Sequence, residues 1–240
     1  MSIQNRSTTD LATYTIPCDI TYGIMGGTQV SSYINTTYAG VTTTSVSPSG
    51  GTGTVIVGSG INNGLNFTVT GNTISNKNTT FETVFKLTEL PSSGEFIYPV
   101  FTSASGGGQA GIRINSSGTV QGLFQSANST HTFSHSATLA VGNWYHVIAS
   151  WGVYDEKISV TVNGTTQRSA SSFGYNGKTI GQYFSAGVNG STATAGSMWI
   201  DYVAVYNSDN GSNIITDAKI ADRWTDVSAE FAALSVLTTA

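Results

Sequence analysis

The sequence predicts an all-β fold: an antiparallel jelly-roll β-sandwich with a short C-terminal helix. Three observations carry that prediction. Period-2 alternation of apolar and polar residues recurs along most of the 240 residues. Gly, Asn and Ser clusters break the alternation at short intervals, as turns between strands do. Helical spacing is confined to the tail, and one terminal helix on a strand-rich chain argues against an α/β fold.

The first alternating run places Tyr14, Ile16, Cys18, Ile20, Tyr22 and Ile24 on one face. Pro17 removes a ladder donor within it, so an edge strand or two short strands are expected. A short strand follows at Thr54–Val57, and Ser47–Gly53 reads as a loop or domain junction. Regular strands are then expected at Leu65–Val69, Phe81–Leu87, Phe96–Thr102, Ala110–Asn115, Val120–Gln125, Tyr145–Trp151 and Lys157–Val162. Asn163-Gly164 closes a hairpin, because both central residues of a type I′ turn need positive φ. Trp199–Tyr206 forms a strand whose two faces both look covered. In the tail, Ile214, Ala218, Ala221, Trp224, Val227 or Ser228, Phe231 and Leu234 follow helical spacing, with Asp217 suited to the dipole at the start.

Charged residues make up 9% of the chain, against about 25% in an average soluble domain. Gly, Ser, Thr and Asn take their place, giving a neutral surface rich in hydroxyls and amides. The net charge of −4 offers no attraction for a phosphate backbone, so nucleic acid is not an expected partner. Low charge also gives little colloidal stability, which fits life in an assembly. The single cysteine, Cys18, forms no intrachain disulfide and reads as a small buried hydrophobe. The opening MSIQNRSTTDLATYTIP lacks the apolar core of a secretion signal. No run approaches the ~18 apolar residues of a membrane span, so membrane insertion is not expected. An external composition without such a signal fits a bacteriophage particle, whose proteins are made in the host cytoplasm and displayed after lysis.

One stretch carries a family likeness. Gly142-Asn143-Trp144-Tyr145-His146-Val147, then Trp151, then Ile158–Val162 with Asn163-Gly164, resembles the laminin-G-like branch of the concanavalin A-like lectin/glucanase superfamily. Thr179-Ile180-Gly181 and the closing Ile200–Asn207 resemble later strands of the same family. The likeness covers Gly64 to Asn207 in order and implies the jelly-roll fold. It implies little about function, because this fold hosts lectins, hydrolases, lyases and virion domains. Three parts are therefore expected: 1–60 as a β-rich docking or accessory segment, 61–210 as the jelly roll, and 211–240 as a helical tail. Trp144, Trp151 and Trp199 are read as packing residues before sugar platforms.

The usual catalytic sets are missing from the sequence. Hydrolases of this fold carry Glu-x-Asp-x-x-Glu on one strand, and no such spacing occurs here. Asp155-Glu156, an adjacent acidic pair, falls in an expected turn. Tyr183–Asn189 is similar to the Tyr-Phe-Lys-Ala-Gly strand of alginate lyases, but the lysine and the partner Arg and Gln-x-His strands are absent. His131 and His135 share a strand face about 13 Å apart, too far to ligate one zinc. Calcium is compatible with the family, whose laminin-G-like members often hold it with loop Asp and carbonyl oxygens; that implies Asp155 or Asp209 here. No loop shows an oxygen-ligand run, so the metal stays undecided and no other cofactor is expected. Gly106–Gly111 satisfies Gly-x-Gly-x-x-Gly but opens an alternating run, so it reads as a loop.

These features lead to a non-enzymatic bacteriophage virion protein as the expected function, a capsid decoration or tail/fibre module on the particle surface. Its expected partners are capsid or tail proteins, sister chains and host surface glycans. A carbohydrate-binding lectin or adhesin is the alternative, and a polysaccharide lyase is less favoured. The expected sugar contacts are Tyr154, Asp155, Tyr175, Asn176 and Asn189, which pair aromatic faces with amide or carboxylate groups in expected loops.

Overall fold

The computed structural model describes the backbone of residues 20–23, 34–37, 41–47, 53–58, 65–68, 74–75, 79–103, 109–126, 129–152, 156–173, 179–180, 183–189, 198–207, 217–234 and 238–239. Side chains are described within 79–102, 109–125, 129–152 and 156–173, at Met198, and at ten positions of the helix.

Strands β1 (Ile20–Gly23), β2 (Ile34–Thr37), β3 (Val41–Ser47) and β4 (Gly53–Gly58) come first. Next are β5 (Leu65–Thr68), β6 (Ile74–Ser75), β7 (Thr79–Leu87), β8 (Phe96–Ser103) and β9 (Gln109–Asn115). Then follow β10 (Thr119–Ser126), β11 (Ser129–Thr138), β12 (Trp144–Trp151), β13 (Ile158–Val162) and β14 (Thr165–Arg168). The chain closes with β15 (Thr179–Ile180), β16 (Tyr183–Asn189), β17 (Met198–Asn207), helix α1 (Asp217–Leu234) and β18 (Thr238–Thr239).

Two antiparallel sheets make the sandwich. The first runs β14-β13-β12-β7-β17-β4-β3-β18, with β1 also paired to β17, and the second runs β11-β10-β9-β8-β16-β5-β2. The strands of the first 60 residues, expected as a docking or accessory segment, thus lie in both sheets. Of Ser47–Gly53, expected as a loop or domain junction, Ser47 ends β3 and Gly53 begins its antiparallel partner β4, and 48–52 lie outside the described residues. Gln109–Gly111 of the Gly-rich motif belong to β9, the alternating run expected there, and Gly106–Gly108 lie outside the described residues.

Alternation decides what each strand buries. Phe81, Phe85 and Leu87 of β7 meet Tyr145, Val147, Ala149 and Trp151 of β12, and Ile97, Ile112, Val120 and Phe124 of the opposite sheet, in one core. Trp151 and Phe124 lie 5.6 Å apart between ring centroids. The intervening residues of β12, Trp144, His146, Ile148 and Ser150, face outward by the pleat yet are also buried. Trp144 is therefore a packed residue, on the outer face of its sheet rather than in the central core.

Helix α1 covers part of that outer face. Its buried line is Ile220, Arg223 and Val227, with Trp224 half-buried beside it, while Ala218 and Ala221 are exposed. The expected stripe holds at Trp224 and Val227 and fails at Ala218 and Ala221, and the side chains of Phe231 and Leu234 lie outside the described residues. A purely apolar reading passes over Arg223, whose burial is made favourable by an acidic partner under the helix. Ile214 lies outside the described residues. Asp217, at the first turn, pairs with Arg168 of β14.

The Asn163-Gly164 turn has φ of 48° and 79°, the positive values expected of its hairpin. Asn163 also accepts a hydrogen bond from the His146 backbone N–H at 2.9 Å, tying the turn to β12.

Candidate functional site

Two clusters of chemistry-bearing side chains occupy the outward faces of the two sheets. The first lies beneath α1. Glu82 on β7 and His146 on β12 are diagonal neighbours on one face, two positions out of register, since His146 pairs with Val84 and Ile148 with Glu82. His146 Nε2 donates to Glu82 Oε1 at 2.8 Å, and Arg223 Nε donates to the same oxygen at 2.9 Å. Trp224 stacks on the His146 ring, 6.2 Å between centroids and 6° from parallel. A Glu–His pair has the makings of acid–base chemistry. Here both side chains have 0% exposure and Arg223 has 6%, so no substrate reaches them in this arrangement. The cluster anchors the helix.

The second cluster lies on the open face of the other sheet. Register places Phe96 opposite Asn115, Phe101 opposite Gly111, and Ile97 and Val100 opposite Ile114 and Ile112. The core takes the four aliphatic residues, leaving Phe96, Phe101, Arg113 and Asn115 outward. Alternation puts Tyr98 on the side of Phe96, and a bulge between Ile97 and Val100 inserts one residue and so turns Phe101 to the same side. Its ring lies 4.8 Å from Phe101 and 6.5 Å from Phe96, so three half-buried aromatics form a row. Gly111 allows the bulge to close up, because a Cβ there would meet the Val100 carbonyl oxygen at 2.4 Å.

Beside the aromatic row runs a polar one. Arg113 lies over the Phe96 ring with its Cζ 3.9 Å from the centroid. Its Nε donates to Gln121 Oε1 at 2.7 Å, and Gln121 Nε2 donates to Ser134 Oγ at 2.9 Å. These residues sit side by side on β9, β10 and β11, in register. Thr132 and Ser134 at the sheet edge are exposed, whereas Leu123 on the same face is buried. The platform therefore opens toward β11. Rings that take an apolar face next to fixed hydrogen-bonding groups are suited to a flat, hydroxylated ligand.

On the inner side of β11, His135 Nε2 lies 3.1 Å from the Thr165 carbonyl oxygen of the opposite sheet. Burial holds its imidazole below the ordinary 6.5, with the Thr165 contact opposing that shift. Ser136 and Gln167 bridge the same edge through the Gln167 Oε1 bond to the Ser136 N–H at 2.9 Å. His131 instead packs on Phe173, 4.5 Å between ring centroids. Among the described residues no group of three or more His, Cys, Asp or Glu side chains is placed to hold a metal. No helix among them is long and apolar enough to cross a membrane.

Of the sugar contacts expected from sequence, Tyr154, Asp155, Tyr175 and Asn176 lie outside the described residues. Asn189 was expected in a loop and instead ends strand β16, where it pairs with Ile97. The strand reaches it because pairing with β8 runs from Phe184 to Asn189, while β5 pairs with Tyr183–Ala186 on the other side. Glu156 is the exposed turn residue expected of the acidic pair, with φ of 59°. The platform residues Phe96, Tyr98, Phe101, Arg113 and Gln121 were not singled out from sequence. The available signal was the spacing of Phe96, Tyr98 and Phe101, which breaks period 2 and so marks a bulged strand with aromatics on one side.

Comparison with known proteins agrees with this architecture. A family model described as the concanavalin A-like lectin/glucanases superfamily matches residues 59–210, more than half of the chain. The binding domain of botulinum neurotoxin serotype G aligns with a TM-score of 0.66 at 10% identity, over 89% of this chain and 52% of that one. The binding domain of Paraclostridial Mosquitocidal Protein 1 aligns at 0.65 and 12% identity, over 86% and 52%. The serotype D ligand binding domain, solved in complex with N-acetylneuraminic acid, aligns at 0.62 and 13%, over 90% and 52%. The chain thus spans about half the length of these solved chains, and at such identities the likeness concerns the fold. No curated protein sequence matches the chain.

Proposed function

The chain belongs to the concanavalin A-like lectin/glucanases superfamily, and from that premise we propose that it recognises glycans without transforming them. The observation that carries this reading is the row Phe96, Tyr98 and Phe101 flanked by Arg113, Gln121 and Ser134 on an open sheet face. Pyranose rings lay their C–H faces on aromatic rings while their hydroxyls exchange hydrogen bonds with fixed polar groups. The bulge at Ile97/Val100 and the Arg113–Gln121–Ser134 chain hold both halves of that combination before any ligand arrives. The three solved neighbours described above are binding domains, one of them solved in complex with N-acetylneuraminic acid, which supports recognition as the task.

The placement of the described acids supports the reading of binding without turnover. Glycoside hydrolysis needs two carboxyl groups about a scissile bond. Among the described residues the buried carboxylate of the first sheet, Glu82, is enclosed under α1 with Arg223 and His146. The platform itself presents a guanidinium, amides and hydroxyls. Glycan-array screening of the full chain tests the reading. Tyr98→Ala and Phe101→Ala should abolish any signal while melting stays within a few degrees, and signal retained in both would remove the platform from consideration.

We assign this module to the surface of a bacteriophage particle, as a capsid decoration or tail/fibre component contacting sister chains and host glycans. The support is compositional: 9% charged residues in a chain rich in Ser, Thr, Asn and Gly. A mass-spectrometric inventory of purified particles tests it, and absence of the chain from particles would end it.

A further inference from the structure

We propose that Arg113 makes the platform selective for sugars that carry a carboxylate; the proposal rests on the glycan-binding reading above. Three contacts fix this guanidinium in advance. The Phe96 ring supports its plane at 3.9 Å, Gln121 Oε1 accepts from its Nε at 2.7 Å, and Ser134 Oγ holds the Gln121 amide at 2.9 Å. With Nε engaged, the two terminal nitrogens remain as a planar fork of donors at the end of the side chain. Arg113 takes no part in the ion pairs His146–Glu82, Arg168–Asp217 and Arg223–Glu82 of the described residues.

A structural role would leave such a cation paired with a carboxylate or fully hydrated, as surface arginines usually are. Instead it is half-buried, backed by an aromatic ring and braced by an amide that is itself braced. A planar fork matches a carboxylate through two parallel charge-assisted bonds, and the sulfated pair in the experiment below separates that occupant from a tetrahedral anion. The neighbouring rings Tyr98 and Phe101 fix the rest of the ligand as a sugar ring rather than a simple anion. Net charge supplies no general attraction for anions, since the chain carries −4. Selection for an acidic sugar must therefore be local, and Arg113 is the local positive group.

The experiment compares matched ligands on the full chain: oligogalacturonate against its methyl ester, sialyllactose against lactose, and a sulfated oligosaccharide against its desulfated form. At least one carboxylated member should bind about tenfold or more tightly than its neutral partner, the size expected of a charge-assisted hydrogen-bonded pair. That ratio should fall toward one in Arg113→Gln, and partly recover in Arg113→Lys, which keeps the charge and loses the fork. It should also shrink as salt is raised. Calorimetric melting of both variants checks that the fold persists. Equal binding of the acidic and neutral partners, or a preference that survives Arg113→Gln, overturns the proposal and leaves the platform reading standing. Preference for the sulfated sugar over every carboxylated one overturns the choice of carboxylate. Failure of all these sugars to bind removes both readings.

Discussion

Glu82 and Arg223 are 141 positions apart in the chain and meet in the interior, the Arg223 Nε donating to Glu82 Oε1 at 2.9 Å. This contact explains how a polar strand residue and a helical arginine are both buried: each satisfies the other, and His146 adds a further bond to the same carboxylate. A buried pair of this kind costs little while whole and much when broken. Arg223→Ala should lower stability by about 3–5 kcal/mol in urea denaturation, because it leaves Glu82 charged and enclosed. Glu82→Leu combined with Arg223→Leu should cost clearly less than Arg223→Ala alone. A mild effect of the single variant would mean that α1 is not anchored through this pair.

Gly164 is constrained twice. Its φ of 79° disfavours a side chain, and a Cβ would lie 2.4 Å from Cδ1 of Trp224. Gly164→Ala should cost at least ~1–2 kcal/mol from the backbone alone. It should also shift the emission of Trp224 as the helix is pushed off the turn. An unchanged melt and spectrum would show that the helix does not rest on this hairpin.

Trp151 is 1% exposed and spans the gap between the sheets toward Phe124. Trp151→Ala should destabilise the sandwich by roughly 3–5 kcal/mol, as large aromatic deletions in cores do. Trp144→Ala should fall in the same range, since its outward-facing side chain is 6% exposed. If glycan binding vanished in Trp144→Ala with no loss of stability, Trp144 would be a binding residue instead.

His135 gives the chain a pH dependence of known sign. Burial depresses its folded-state value below 6.5, so the unfolded chain binds the proton more readily. This contribution to stability is present above pH 6.5 and declines as the pH falls through 6.5 toward the depressed value. Replacing His135 with Gln should flatten that part of the stability–pH curve. A slope of opposite sign, or no change of slope, would contradict the burial argument.

Strands β1, β2 and β3 contribute to both sheets, with β1 paired to β17 and β2 to β5. Deleting residues 1–45 should expose long unpaired edges and abolish cooperative melting. A truncated chain that melts normally but no longer joins particles or oligomers would identify the segment as a docking arm.

Much of the fold was readable in advance because its signals are local. The alternations at Phe81–Leu87, Val120–Gln125 and Tyr145–Trp151 match β7, β10 and β12 to within a residue or two at each end, and Asn163-Gly164 adopts the positive φ pair its chemistry favours. Strand β11 was harder to place. Ser129–Thr138 is mostly hydroxylated, with Phe133 and Ala137 as its apolar contribution to the core, so alternation was faint. The helix was recognised, but its buried face was misjudged because Arg223 counts as polar until Glu82 is known to lie beneath it.

The sequence by itself determined the all-β class, the core-facing residues of the regular strands and the hairpin turn. Each depends on neighbours within a few positions. Tertiary structure alone decided that Phe96, Tyr98, Phe101, Arg113, Gln121 and Ser134 share one open face. They come from four strands, and a bulge between Ile97 and Val100 brings Phe101 onto the side of Phe96 and Tyr98. No local pattern encodes that convergence, because cross-strand register is set by the packing of the whole sandwich.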